Sequence, residues 1–251
     1  MNSRKTFASI DLEAYRYNLR YLTSKASPAK VMAVVKADGY GHGALQLARI
    51  AQDEGLGYLA VAFLEEGLRL REAGIKIPIL VLNYVEPSSF KASFENNLTL
   101  TIVSHEQLKA IEASMKSRTS INSTFHIAVD TGMRRLGLEW RESVNLLKAA
   151  IDMGLNVEGA YTHFATADEK GSGFVAEQLK AFLSFLSQAE RITKKILLKH
   201  ISNSAGTLYV DNSHFDYVRA GIASYGLQPS SQHDGNLRPV LQWKTCVSFV
   251  K

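Results

Sequence analysis

The sequence predicts an α/β protein in which eight parallel strands and the helices between them close into a (β/α)8 barrel of the TIM type. Apolar runs rich in β-branched residues recur along the chain, and segments with helical periodicity separate them. Near-continuous apolar runs are typical of parallel strands that are covered on both faces. Repeated strand–helix units favour the barrel. An open doubly wound sheet has the same alternation, so it remains the alternative architecture.

The segments between the predicted strands have the pattern of amphipathic helices. Residues 105–115 place Leu108, Ile111 and Met115 on one helical face. Residues 140–154 end on Gly154, a residue type common just after a helix. The predicted strands are 31–36, 58–63, 77–83, 98–104, 125–131, 157–164, 196–202 and 217–223, and the other predicted helices are 44–52 and 175–192.

The last part of the chain has a different pattern. Apolar residues alternate from 241 to 249, which is typical of a strand with one buried face. The sequence shows no partner for this strand, and a lone strand with an apolar face is not stable by itself. We therefore assign residues 1–235 to the barrel. We expect residues 236–251 to be the truncated start of a C-terminal β domain that the chain otherwise lacks.

Composition excludes several classes of function. The 29 lysines and arginines give a net charge of +5 but form no dense basic run, so we expect no nucleic-acid partner. Cys246 is the only cysteine and the histidines lack ligand spacing, so we expect neither a disulfide nor a metal site. No segment has the length of a membrane span, and the N-terminus lacks the apolar region of a secretory signal. We therefore expect a cytoplasmic protein without membrane contact.

Reactive side chains fall at the carboxyl ends of the predicted strands, where barrel enzymes place their active sites. Taken singly, each has a structural explanation: a lysine or arginine in an ion pair, a buried histidine in a hydrogen bond, a serine in a loop. Their convergence on one rim favours an active site over these separate structural explanations. The residues at this rim are Lys36, Arg135, His163, His200, Asn203, Ser204 and Arg219.

The rim chemistry indicates a phosphorylated aldehyde cofactor. A buried lysine amine has a lowered pKa, which frees the neutral nucleophile that Schiff-base chemistry requires. Ser204, Gly221 and Ile222 offer O–H and N–H donors where barrels bind phosphate, after strands seven and eight. A lysine and a phosphate site on one rim predict pyridoxal 5′-phosphate (PLP).

Five segments together resemble a known family. In order, they are VVKADGYGHG, VDTGMRRLG, THFATAD, ISNSAG and VRAGIASYGL. Their order and spacing resemble the N-terminal PLP-binding barrel of bacterial alanine racemases, and the resemblance runs from about Ile10 to the end of the chain. It implies a PLP-dependent isomerase that interconverts L- and D-alanine and supplies D-alanine for peptidoglycan.

The resemblance also implies a role for each rim residue. Lys36 carries PLP and acts as the base for the α-proton of D-alanine. Arg219 faces the pyridine nitrogen, which stays unprotonated because a guanidinium retains its proton. Arg135 contacts the PLP phenolic oxygen and the substrate carboxylate. The implied catalytic set is Lys36, Arg135, His163 and Arg219, with Tyr40, Ser204, Gly221 and Ile222 at the phosphate, Asn203 beside it, His163 beside the ring and His200 orienting Arg219.

Two positions depart from the family pattern. Many members have a carbamylated lysine two residues before the aspartate of the DTGM motif, where it orients the arginine that is Arg135 here. This sequence has Ala128 at that position, so the negative partner of Arg135 comes from elsewhere, as an anion such as chloride, or is missing. The usual proline before Gly221 is Ala220. This change loosens the turn but removes no phosphate donor.

Racemisation also needs a second base on the other face of the substrate. The family uses a tyrosine from the C-terminal domain of the neighbouring subunit, so we expect a homodimer when the protein is full length. We expect this chain alone to bind PLP but to racemise alanine poorly or not at all. Two alternatives stay open: a racemase of broader amino-acid specificity, which Ala128 allows, and a non-catalytic PLP-binding barrel.

Overall fold

The barrel predicted from the sequence is present in the computed structural model of the chain, which describes residues 6–116, 123–193, 195, 197–247 and 249–250. Strands and helices alternate along most of this length. The strands are β1 (Phe7–Ile10), β2 (Lys30–Val34), β3 (Tyr58–Val61), β4 (Ile79–Val81), β5 (Thr99–Ile102), β6 (Thr124–Asp130), β7 (Leu138–Glu139), β8 (Asn156–Tyr161), β9 (Leu198–His200), β10 (Tyr217–Ala220) and β11 (Leu241–Lys244). The helices are α1 (Leu12–Ala26), α2 (Lys36–Tyr40), α3 (Ala44–Asp53), α4 (Leu64–Glu72), α5 (Phe90–Glu95), α6 (His105–Lys116), α7 (Trp140–Asp152), α8 (Phe174–Ile192) and α9 (Ser204–Tyr209).

The order of the strands shows that the sheet curls into a barrel. Parallel pairing runs in the order β10-β2-β3-β4-β5-β6-β8-β9, with the short β7 beside β6. Across the remaining seam, between β9 and β10, Arg219 N donates to Ser202 O at 2.9 Å. Asp216 N likewise donates to Lys199 O at 3.1 Å. Because hydrogen bonds link the two end strands, the open-sheet alternative is wrong and the barrel prediction is confirmed.

Strand β2 shows why the apolar runs are nearly continuous. Val31, Ala33 and Val35 belong to the large core between strands and helices. Met32 and Val34 point the other way and belong to a smaller cluster inside the barrel. Because successive side chains of a strand face opposite sides, a strand that is covered on both faces needs apolar residues at consecutive positions.

The four predicted helices are confirmed, with small shifts at their ends. Helix α7 ends at Asp152, and Gly154 follows with a φ of 77°, a left-handed conformation that glycine adopts at little cost. In α8 the buried apolar residues include Phe182, Phe185 and Leu186, whereas Leu183 faces solvent. In α6, Leu108 and Ile111 are buried on the face that their spacing predicts.

The turn after β2 has a left-handed backbone. Ala37, Asp38, Gly39 and Tyr40 all have φ between 51° and 61°. Only Gly39 adopts this region without steric cost; the others need compensating contacts. The Asp38 carboxylate accepts from Ala44 N at 2.9 Å. A Cβ on Gly39 would lie 2.6 Å from Leu47 Cδ1, so the turn packs directly against α3.

A small second sheet lies outside the barrel. Strand β11 pairs antiparallel with β1, so the expectation that this strand has no partner is wrong. The small sheet is poorly covered: Trp243 is 72% exposed and Phe7 is also exposed. The division of the chain at residues 235 and 236 stays a prediction.

Two features of the described residues bear on other classes of function. In the described part of the chain, no helix combines the length and apolar character needed to cross a membrane. Within the same residues, no three or more histidine, cysteine, aspartate or glutamate side chains are grouped to hold a metal ion. Cys246 is exposed.

Candidate active site

One cavity of about 640 Å³ opens at the carboxyl ends of the barrel strands. Its position is the one in which barrel enzymes bind their substrates. All rim residues predicted from the sequence line it except His200, which lies buried beneath. The predicted residues in the lining are Lys36, Tyr40, Arg135, His163, Asn203, Ser204, Arg219, Gly221 and Ile222.

Lys36 is the only lysine among the described residues that line the cavity. It follows β2 at the start of the left-handed turn, and its Nζ lies 5.9 Å from the centroid of the Tyr40 ring. Partial burial lowers the pKa of the Lys36 amine and the charge of Arg135 lowers it further, whereas Glu66 raises it by a smaller amount and Arg219 lowers it least. The neutral amine is therefore more available than that of an exposed lysine.

Replacing Arg135 with glutamine is expected to raise the pKa of Lys36. The substitution removes a positive charge that disfavours the protonated amine, so the amine holds its proton to higher pH. A ¹³C NMR titration of reductively methylated lysines measures the shift, with Lys36 assigned from a Lys36→Arg variant. Arg134→Gln, next along the chain, is the matched control and is expected to leave the Lys36 titration in place. An unchanged titration in Arg135→Gln would contradict the assigned cause.

Donors converge around a space that only glycine leaves open. A Cβ on Gly221 would lie 2.9 Å from the Tyr40 hydroxyl and 3.7 Å from Ser204 Oγ. Ser204 Oγ accepts from Gly221 N at 3.0 Å and from Ala223 N at 3.2 Å, so its own proton is free to be donated to a ligand. The N–H of Ile222 donates to no residue in the described ranges. We call this space, bounded by Tyr40, Ser204, Gly221 and Ile222, the anion cradle; its donor set fits a phosphate group.

Arg219 is a buried cation held by neutral acceptors. Its Nη1 donates to His200 Nδ1 at 2.7 Å, and its Nη2 donates to Thr162 O at 2.7 Å and lies 3.1 Å from His163 Nδ1. Burial lowers its pKa to about 10, so the side chain remains charged at neutral pH. Its Nε–H makes no hydrogen bond to any residue that the structure describes. Because Arg219 lines the cavity, this donor remains for a ligand.

The two predicted histidines are neutral. Burial, followed by the charge of Arg219, holds the pKa values of His163 and His200 well below the usual range for histidine. The His200 ring stacks on Tyr161, with centroids 4.9 Å apart, and the Arg219 guanidinium lies 5.2 Å from the Tyr161 ring centroid. His200 thus contacts Arg219 from below and does not line the cavity itself.

Arg135, Ala128 and Asn203 also line the cavity. Arg135 is exposed and forms no ion pair with a carboxylate in the described part of the chain. Ala128 is buried at the wall of the same cavity, so the site has a small apolar residue at this position. Asn203 caps α9, where its Oδ1 accepts from Gly206 N at 2.9 Å. Its Nδ2 lies 3.4 Å from His163 Nε2, which places the cap beside the ring of that histidine.

Sequence reasoning missed Glu66. Glu66 lies in the first turn of α4, and its carboxylate accepts from Ala37 N at 2.5 Å and from Ala62 N at 2.7 Å. It therefore ties the turn after Lys36 to the end of β3. An acidic residue in a first helical turn was a visible signal. Nothing in the sequence, however, showed that its second oxygen reaches a neighbouring loop.

Comparisons with known proteins identify the family of this chain. Residues 10–229 match the family model described as alanine racemase, N-terminal domain. The chain is 40% identical to an alanine racemase of Desulforamulus reducens, over 98% of this chain and 68% of that protein. An alanine racemase of Methanococcus maripaludis is also 40% identical, over 100% of this chain and 69% of that protein.

Solved structures give the same result. An alanine racemase of Clostridium difficile 630, in complex with cycloserine, superposes with a TM-score of 0.92 at 34% identity, over 100% of this chain and 70% of that one. One from Bacillus anthracis, with bound L-Ala-P, gives a TM-score of 0.89 at 36% identity, over 97% of this chain and 64% of that one. The chain thus spans about two thirds of the length of its relatives. It belongs to the alanine racemase family, whose members are isomerases.

Proposed function

We propose that this chain is the PLP-binding part of an alanine racemase that interconverts L- and D-alanine. The observation that carries the proposal is the meeting of three groups in one cavity: the Lys36 amine, the free Nε–H of Arg219 and the anion cradle. An amine, a ring-nitrogen donor and a phosphate site are the groups that PLP requires of a protein. The residues present therefore fit this cofactor.

Each group has a defined task toward PLP. Lys36 would hold the cofactor through its amine, and the anion cradle would bind the phosphate through the Tyr40 and Ser204 hydroxyls and the Ile222 N–H. Arg219 would offer its Nε–H to the pyridine nitrogen as a hydrogen-bond donor, and it would retain that proton because its pKa, although lowered by burial to about 10, stays well above neutral pH. When bound, PLP supplies the electron-withdrawing system that acidifies the α-carbon of an amino acid.

Substrate handling falls to Lys36 and Arg135. The exposed guanidinium of Arg135, at the mouth of the cavity, binds the substrate carboxylate. The lowered pKa of the Lys36 amine suits it to remove and return the α-proton on one face, that of D-alanine. Neutral His163 adds no positive charge beside the ring.

Neither tyrosine among the described residues of the lining is available as a base for the opposite face. The two tyrosines in that lining are otherwise engaged: Tyr40 belongs to the anion cradle, and the Tyr161 hydroxyl donates to Leu82 O at 3.0 Å. We propose that a tyrosine of a C-terminal domain, from the second subunit of a homodimer, supplies this base. We further propose that residues 236–251 begin that domain, because β11 leaves the barrel for a separate sheet with exposed apolar residues.

The chain with PLP is expected to exchange the α-proton of D-alanine much faster than it inverts it. With Lys36 as the only base, a proton removed from one face returns to the same face. ¹H NMR in D₂O measures loss of the α-proton signal, and chiral chromatography measures L-alanine. Inversion is expected to be slower by about a hundredfold or more. PLP without protein is the blank.

Inversion at the rate of exchange would overturn the one-base proposal. The absence of exchange, with PLP bound, would favour the non-catalytic PLP-binding barrel. Comparing alanine with amino acids of larger side chain separates an alanine racemase from a broader one, since the small Ala128 widens the wall near Arg135. The proposed cellular role is cytoplasmic supply of D-alanine for peptidoglycan, tested by rescue of a D-alanine-requiring bacterium with a longer form that carries the second domain.

A further inference from the structure

A line of polar side chains crosses the barrel interior beneath the cavity. It starts at Arg219 in β10, whose Nη1 lies 2.7 Å from His200 Nδ1 in β9. His200 Nε2 lies 2.9 Å from His126 Nδ1 in β6, and His126 Nε2 lies 3.2 Å from Glu158 Oε2 in β8. The same Glu158 oxygen accepts from the Tyr58 hydroxyl at 2.7 Å. We call Arg219, His200, His126 and Glu158 the relay.

The two ends of the relay fix the direction of every hydrogen bond in it. Arg219 can only donate, so His200 Nδ1 must accept and the His200 proton must sit on Nε2. An ionised Glu158 can only accept, so His126 must donate from Nε2 and accept at Nδ1. The opposite arrangement would set two donors against each other at Arg219 and two acceptors against each other at Glu158. One arrangement of protons therefore satisfies all three contacts.

The burial of the relay makes this arrangement costly to break. Arg219 is 3% exposed, and His126 and His200 are fully buried. Burial keeps both histidines neutral, because it lowers their pKa values. Hydrogen bonds from His126 and Tyr58 lower the pKa of the Glu158 carboxyl, which is therefore ionised at neutral pH. Its side chain is 36% exposed, at the end of the barrel away from the cavity.

We propose that Glu158 is a positioning residue for Arg219, acting across the barrel through two neutral histidines. Its charge holds His126 and His200 in the Nε2–H form, so His200 presents a lone pair to the guanidinium. Arg219 has no carboxylate within hydrogen-bond distance among the described residues, and Glu158 is its remote counter-charge. The effect of Glu158 on catalysis rests on the proposed function, whereas the hydrogen bonds of the relay are present in the chain without PLP.

The first test reads the histidine rings directly. Long-range ¹H–¹⁵N NMR on the histidine-labelled chain without PLP, at neutral pH, reports which nitrogen carries each proton. Wild type is expected to show His126 and His200 as neutral Nε2–H forms. Glu158→Gln keeps an acceptor but removes the charge, so both rings are expected to shift while their tautomers persist. Glu158→Ala leaves His126 Nε2–H without a partner and is expected to give mixed tautomers.

A matched control exists on the surface. Glu142 lies 3.1 Å from His105 Nε2, an exposed carboxylate–histidine pair of the same chemistry. Glu142→Gln is expected to move the His105 signals alone. A proton on His200 Nδ1 in wild type would overturn the relay. So would a Glu158→Gln variant in which His200 keeps its wild-type shifts, because Glu158 reaches that ring only through His126.

The second test measures the consequence for the reaction. With PLP, Glu158→Gln is expected to slow α-proton exchange of D-alanine about tenfold, the lower range for carboxylates that orient a functional histidine. Binding of PLP is expected to persist, since Lys36 and the anion cradle are untouched. Unchanged exchange beside altered histidine signals would overturn the positioning role. A wild-type chain that exchanges no α-proton but shows the expected tautomers would instead count against the proposed function.

Discussion

Lys36→Ala is expected to abolish covalent binding of PLP while leaving the barrel folded. The amine is the only lysine nitrogen in the lining among the described residues, so no other group takes its place. Truncation at Cβ leaves the backbone of the left-handed turn intact, because Glu66 and Asp38 hold that turn through main-chain contacts. The visible absorbance of the protein with PLP, and the mass added after borohydride reduction, measure the loss.

Lys30→Ala is the matched control for this experiment. Lys30 begins the same strand at its opposite end, where the side chain is exposed. This variant is expected to bind PLP as wild type does. Circular dichroism and the unfolding midpoint check that Lys36→Ala remains folded. Wild-type absorbance in a folded Lys36→Ala variant would show that PLP is held by another amine, and the assignment of Lys36 would fail.

Arg219→Met is expected to lower the free energy of unfolding substantially. Methionine fills part of the same volume but leaves the buried acceptors Thr162 O and His200 Nδ1 without a donor. Loss of charge-assisted hydrogen bonds to buried acceptors outweighs relief of the desolvation cost of the cation, so we expect a loss of about 2–4 kcal/mol. Chemical denaturation followed by circular dichroism measures the change.

Two variants separate the role of Arg219 from a general effect of losing an arginine. Arg141→Met removes a side chain that is 73% exposed, so we expect a change within about 0.5 kcal/mol. Arg219→Lys retains the charge but not the planar fork of donors, and its stability is expected to lie between those of wild type and Arg219→Met. Wild-type stability of Arg219→Met would show that the buried acceptors find other partners.

The fold and most of the site follow from the sequence because both depend on local pattern. Each barrel strand is a contiguous apolar run, and the reactive residues stand directly after such runs, as Lys36 does after β2. Once the runs are placed in a parallel barrel, their ends share one rim. Arg135, His163 and Ser204 therefore come together with Lys36 without any knowledge of their contacts.

The part of the relay formed by His126 and Glu158 was beyond the reach of sequence reasoning. His126 and Glu158 lie inside predicted strands, where a polar residue carries no signal about its partner. Their contact depends on the register between β6 and β8, which shifts between Phe125 and His126. Glu66 was missed for a related reason, since its partner Ala37 lies on a neighbouring loop.

The backbone of the turn after Lys36 differs from what its glycine-rich sequence suggests. The glycines of GYGHG suggest that flexibility brings Tyr40 toward the phosphate. In the structure, Ala37, Asp38 and Tyr40 themselves take left-handed conformations, at a steric cost of about 1–2 kcal/mol per residue. Contacts from Glu66 and Ala44 offset this cost. Tyr40 reaches the anion cradle through a fixed turn.

The small sheet of β1 and β11 joins the two ends of the described chain. The hydroxyls of Thr6 and Thr245, 2.7 Å apart at its margin, are separated by 239 positions in sequence. Closing so long a loop costs chain entropy before any contact repays it. The barrel strands, by contrast, pair mostly with near neighbours in the chain. The small sheet is also more exposed than the barrel strands, so we expect it to fray before they do.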